Sequence, residues 1–130
     1  MINQNKLEKF VYLKGKTNDM LEKYKEYGMC VLTSYREGLP LVLLEAKINK
    51  LPIISFDIDT GPREIIKDGV NGFLIEPYDT RLMAIKINEL LMNEKKRKSF
   101  SQNSVLGIEK FRLKEIILKW ETLIDELIGL

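Results

Sequence analysis

No histidine occurs in the 130 residues. That removes Ser-His-Asp and Cys-His catalysis, imidazole metal ligation and imidazole acid–base chemistry. A single cysteine, Cys30, leaves no internal disulfide and points to a reducing compartment. Set in the run Met29-Cys30-Val31-Leu32, it reads as a small core side chain rather than a reactive thiol. No apolar run approaches the ~20 residues of a membrane helix, and residues 1–6 are polar, unlike a secretory signal. A cytoplasmic protein is expected, with a peripheral place on the inner membrane face as the alternative. The net charge of +2 is too small to argue for nucleic acid or an anionic membrane. Gly-x-x-x-x-Gly-Lys-Ser/Thr, Gly-x-Gly-x-x-Gly and acidic clusters of metal-loop spacing are all missing.

The chain does hold short apolar runs alternating with longer stretches of helical period. That alternation predicts βα units, hence an α/β fold with a parallel sheet of about four strands flanked by helices. Strands are expected over 10–13, 29–33, 52–56 and 73–75. Helices are expected over 19–27, 40–49, 63–67, 79–91, 94–111 with interruptions, and 113–127. Pro40 suits the first turn of its helix, where a missing N–H costs nothing. The last helix carries a stripe of Ile116, Ile117, Trp120, Leu123, Ile124 and Leu127, which needs a surface to pack on. Lys95-Lys96-Arg97-Lys98, the main charge run, reads as a solvated helix face.

Ligands of open parallel sheets bind outside the carboxyl ends of the strands. Two loops should lie there, over 34–41 and 57–64, each leading through a Gly and a Pro into a helix. A helix start offers free N–H groups and a partial positive charge, and so can hold a phosphate. Gly38 admits close approach, and the amides of Leu39 and Leu41 are candidate donors, whereas Pro40 has none. Glu45 sits in an apolar run, where an ionised carboxylate costs several kcal/mol, roughly, unless paired. It could accept from the vicinal diol of a ribose, and Glu37 from the hydroxyls of a sugar beyond the phosphates. A plainer account is also open. Gly-Leu-Pro is an ordinary loop-to-helix junction, Glu37 could be a surface residue or a cap, and Glu45 could pair with Lys47 or with a neighbouring strand. Asp57 and Asp59 suggest either a cation site or, more simply, a turn.

The run Ser34-x-x-Glu37-Gly38-Leu39-Pro40-x-x-x-x-Glu45-Ala46 resembles the donor-site motif of glycosyltransferase family 4, retaining enzymes of GT-B fold. Leu51-Pro52-Ile53-Ile54-Ser55-Phe56-Asp57 and Gly61-Pro62-Arg63-Glu64-Ile65-Ile66-x-Asp68-Gly69-x-Asn71-Gly72-x-Leu74 continue the likeness in order. It is closest in look to bacterial enzymes building capsular, exopolysaccharide or lipopolysaccharide chains. The resemblance implies that Glu37, with Gly38 and Leu39, contacts the donor hexose. It implies that the amides of Gly38, Leu39 and Leu41 serve the phosphates, that Glu45 holds the ribose, and that Gly15 and Lys16 lie against the base. The substrate would be a nucleotide diphosphate sugar, with no metal or other cofactor and no nucleic-acid partner.

It also implies that residues 1–130 form one incomplete donor-binding domain, the C-terminal half of a GT-B fold. The acceptor domain and the first donor-domain strands would be absent, and the helix over 112–128 would cross to the missing domain. The parent reaction is transfer of a hexose, with retention, to a glycan or lipid-linked acceptor. The isolated chain should then be inactive. A non-catalytic nucleotide-sugar-binding module, one half of a split enzyme, or a homodimer through an open sheet edge or the Trp120 helix are the alternatives. With the strands between them missing, residues 10–13 either pair with 29–33 or leave a sheet edge open.

Overall fold

The computed structural model describes residues 1–129. Its sheet has three parallel strands, β1 (Cys30–Leu32), β2 (Ile53–Phe56) and β3 (Gly72–Ile75), in the order β1-β2-β3. The register sets Cys30 beside Ile53, and Ile53 beside Gly72. All four residues of β2 are buried, as expected of a parallel strand covered on both faces. Alternate side chains then build two cores. Ile54, Phe56, Phe73 and Ile75 pack beneath Met83 and Leu90 of α4 (Thr80–Met92) and Phe100 of α5 (Glu94–Asn103). Ile53 faces the other way, against Leu43 and Ala46 of α2 (Leu41–Ile48), Ile65 of α3 (Pro62–Ile65), and Tyr24 of α1 (Met20–Tyr24). Each helix connecting two strands thus covers one face and leaves the strands parallel.

Sequence-coded caps set several boundaries. Asp79 Oδ1 accepts from the Leu82 N–H at 2.8 Å and starts α4; Asn93 Oδ1 accepts from the Lys96 N–H at 2.9 Å and starts α5. Pro40 stands just before α2, in extended conformation, rather than inside its first turn. The basic run is only half solvated. Arg97 Nη1 donates to the carbonyls of Leu90 and Leu91 at 2.6 and 3.1 Å, closing the end of α4, and Lys96 pairs with Glu89. Lys95 and Lys98 are the exposed pair.

The two ends depart from expectation. Residues 10–13 form no strand: Phe10 is 77% and Leu13 87% exposed, and β1 pairs only with β2. The apolar pattern was right for a strand, but a strand without neighbours leaves its N–H and C=O groups to water and gains no buried face. Of the two outcomes expected for these residues, the open edge is the one found. The helix expected over 19–27 shortens to α1, with Tyr27 beyond it. The last helix, α6 (Leu113–Ile128), forms as expected but has no buried residue.

Candidate functional site

Three loops meet at the carboxyl end of the sheet, and two of them interlock. The Thr60 hydroxyl, on the loop after β2, donates to the Glu37 carbonyl on the loop after β1. Next to it Gly61 adopts φ +94°, a conformation open mainly to glycine. A Cβ there would stand 2.5 Å from Pro40 Cδ and 2.6 Å from the Gly38 carbonyl oxygen, so the backbones approach as only glycine allows. The join fixes where the chain enters α2. Sequence reasoning included Gly61 in its motif but gave it no role, because a contact between two loops leaves no periodicity to read.

At this join Glu37 is half-buried, and its carboxylate takes part in none of the ion pairs among the described residues. A Cβ added to Gly38 would meet nothing within 4 Å, so the space over that peptide is open. Leu39 and Leu41 are exposed, and α2 begins without a side-chain cap. Its first N–H groups therefore have no intrahelical acceptor. Gly38, Leu39, Leu41 and Glu37 are thus gathered at one helix start.

Glu45 lies one turn further along α2, half-buried. Its Oε2 accepts from the Tyr24 hydroxyl at 3.0 Å. Lys47 is not its partner: that side chain is buried, and its Nζ donates at 3.1 Å to the Ile65 carbonyl at the end of α3. On a helix, residues two apart face different ways. Burial, and after it the bond to and charge of Glu45, push the Tyr24 phenol well above the ordinary tyrosine range, so it stays a neutral donor. Cys30 is pushed up to about 11 by burial, in keeping with an inert thiol.

Gly15 and Lys16 stand apart from this group. They line a cleft of about 380 Å³ with Lys14, Thr17, Met20 and Lys23, which neither Glu37 nor Glu45 lines. The link between the two places is α1, which gives Met20 and Lys23 to the cleft and Tyr24 to Glu45. Asp57 is engaged by Arg63, whose Nη2 donates to its Oδ2 at 2.9 Å while Nε reaches Oδ1. This pair closes the turn after β2.

The third loop, after β3, carries Pro77 and Tyr78. With Tyr35, Arg36, Glu37, Ile58, Asp59 and Thr60 they wall a cleft of about 520 Å³. The Tyr78 ring lies 5.6 Å from Tyr35 and 6.1 Å from Phe56. No sequence reading singled out Tyr35 or Tyr78. The signal was there: the rule that marked the first two strand ends applies equally to the third.

The sequence profile described as "Glycosyl transferases group 1" matches residues 1–105. The poly(ribitol-phosphate) alpha-N-acetylglucosaminyltransferase of Staphylococcus aureus is 36% identical over 126 residues, covering 96% of this chain and 26% of that protein. The amylovoran biosynthesis glycosyltransferase AmsD of Erwinia amylovora is 34% identical over 124 residues, 95% of this chain and 35% of that protein. A crystal structure of a mutant S. aureus TarM in complex with fondaparinux, alpha-GlcNAc-glycerol and UDP superposes with TM-score 0.89 at 36% identity, over 94% of this chain and 25% of that one. These two homologues are bacterial polysaccharide glycosyltransferases, and the structural neighbours are GT-B glycosyltransferases. The chain spans about a quarter to a third of the length of these two relatives.

Proposed function

The chain belongs to the group 1 glycosyl transferases, and from that premise we propose that it carries the nucleotide-sugar donor site of a retaining family 4 hexosyltransferase acting in cell-envelope polysaccharide synthesis. The observation that carries this is the interlocked pair of loops at Gly61 and Pro40, which sets Glu37, the uncapped start of α2 and Glu45 in sequence along one helix entry. In this arrangement Glu45 accepts from the ribose hydroxyls. The amides of Gly38, Leu39 and Leu41 receive the diphosphate, and Glu37 holds hydroxyls of the hexose. Gly15 and Lys16, across α1, lie toward the base. Support for a uridine nucleotide comes from the related TarM structure, which holds UDP. Donor binding by carboxylates and amides requires no metal.

The parent reaction breaks the bond between the anomeric carbon and the diphosphate and passes the hexose to a glycan or lipid-linked hydroxyl, whose proton leaves with the nucleotide phosphate. Without an acceptor-binding partner the purified chain should transfer no sugar, and turnover by it would refute that.

Calorimetric titration of UDP and UDP-N-acetylglucosamine tests the site. Weak binding by the wild type, and loss of about tenfold in Glu45→Ala, is the expected result for a lost hydrogen-bonded carboxylate. Equal affinity of both proteins sinks the ribose role.

A further inference from the structure

Among residues 1–29 only Tyr24 is buried, at 2% exposure. Its ring fills the core formed by Leu43, Ala46 and Leu51, a task that phenylalanine would do without a hydroxyl to satisfy. The hydroxyl is spent on α2: it lies 3.0 Å from Glu45 Oε2 and 3.3 Å from the Val42 carbonyl. A carboxylate on a helix can swing about its terminal torsion, which is broad rather than staggered. One strong bond at Oε2 stops that swing and leaves Oε1 for a ligand.

We infer that Tyr24 is a positioning residue: its hydroxyl sets the Glu45 carboxylate to receive a vicinal diol, and so makes the site select ribonucleotides over 2′-deoxyribonucleotides. The inference rests on the ribose role proposed above for Glu45. Its logic is that of a site built to accept a hydroxyl, which disfavours the analogue lacking it because an oriented acceptor is left unpaired. A swinging carboxylate loses less when the partner is missing, since it can turn to water. Tyr24 also joins two parts of the site. α1 brings Met20 and Lys23 to the Gly15–Lys16 cleft, and the Tyr24–Glu45 bond fixes that helix against α2.

The test compares affinities for UDP and 2′-deoxy-UDP, by ligand-observed NMR, for wild type, Tyr24→Phe and Glu45→Ala. Wild type is expected to prefer UDP by about tenfold, the worth of one charge-assisted hydrogen bond. Glu45→Ala should bring that ratio to near unity. Tyr24→Phe, with unchanged circular dichroism, should lower it by about threefold while leaving 2′-deoxy-UDP affinity as it was. If Tyr24→Phe keeps the wild-type ratio, or weakens both nucleotides alike, while Glu45→Ala loses the preference, Tyr24 only packs and the inference fails with the Glu45 role intact. If wild type shows no preference, or Glu45→Ala retains it, the ribose role itself fails and this inference with it. Should Tyr24→Phe not fold, ultraviolet titration of the phenols decides. The late part of the curve, to which Tyr24 and Tyr78 both contribute in wild type, should move to lower pH in Glu45→Ala, and identical curves overturn the bond.

Discussion

Residues 40–104 and the two ends of the chain use the same kinds of apolar side chain to opposite effect. In the first region Leu43, Ile54 and Leu90 are fully buried, and each helix lies across the strands beside it. At the ends, Phe10, Leu13, Trp120 and Leu127 are more than half exposed. The difference is one of neighbours rather than of residue type. β2 has a strand on each side and helices on both faces, whereas β1 has one strand partner and buries none of its residues fully. The central region is a self-consistent piece of α/β structure. The ends hold the pattern of elements without the surfaces those elements would cover.

The contrast breaks first at the core. Leu43→Ala should destabilise the chain by about 2–5 kcal/mol, the cost of emptying a well-packed leucine site. Urea unfolding followed by circular dichroism measures it. A loss comparable to that of an end residue would mean that the central region is no better packed than the ends. Next comes Gly61→Ala, at about 1–3 kcal/mol, since φ +94° strains any L side chain and the new methyl overlaps Pro40. Here the two loops must part, so UDP affinity should fall by more than the stability loss explains. Unchanged affinity would show that the loop join does not shape the site.

The central region was legible because its residues obey local rules. Short apolar runs marked β2 and β3, Asp79 announced α4, and Gly-Pro pairings marked both loop-to-helix junctions. What was not legible depended on partners distant in the chain. Residues 10–13 have strand chemistry, but a strand is a property of a pair, and no second strand reaches them. For Glu45 the sequence offered Lys47 or a neighbouring strand as a pairing partner; its partner is Tyr24, 21 residues earlier. Lys47, the nearer cation, turns inward to the Ile65 carbonyl instead. Tyr78 went unnoticed because what marks it is a cleft shared with Glu37, not any motif of its own.

The ends sharpen the comparison from the other side. Trp120→Ser and Phe10→Ser should each change stability by no more than about 0.5 kcal/mol, as for other substitutions on open surface. Trp120 fluorescence should sit at the emission of a solvated indole. A loss above about 2 kcal/mol from Trp120→Ser would show that α6 packs on something, a second copy of the chain included, and sedimentation of the same samples would separate those cases.

The smallest expected effect lies at the surface of the well-packed region. Glu89, on α4, accepts from Lys86 Nζ at 2.8 Å and from Lys96 Nζ of α5, so it ties the two helices across the break at Asn93. Both ammonium groups also stand over the Phe73 ring, at 4.5 and 4.8 Å. The bonds to Lys86 and then Lys96 hold the Glu89 carboxyl below its ordinary value. The unfolded chain therefore binds more protons than the folded one in the acid range, and stability rises with pH there. This contribution is fully present above the unfolded value, about 4.3, and is lost as pH falls through the lower folded value. Because the three side chains are 28–32% exposed, its size should stay under about 1 kcal/mol. Glu89→Gln should flatten the loss of urea stability between about pH 5 and pH 2, where the carboxylate would titrate. The Glu22–Lys25 pair at the end of α1, at 73% and 63% exposure, is largely open to solvent and should hold its helix far less firmly. If Glu89→Gln and wild type lose stability in parallel on acidification, the α4–α5 tie rests on Phe73, Phe100 and Leu90 alone, and the difference between the two regions is one of apolar burial only.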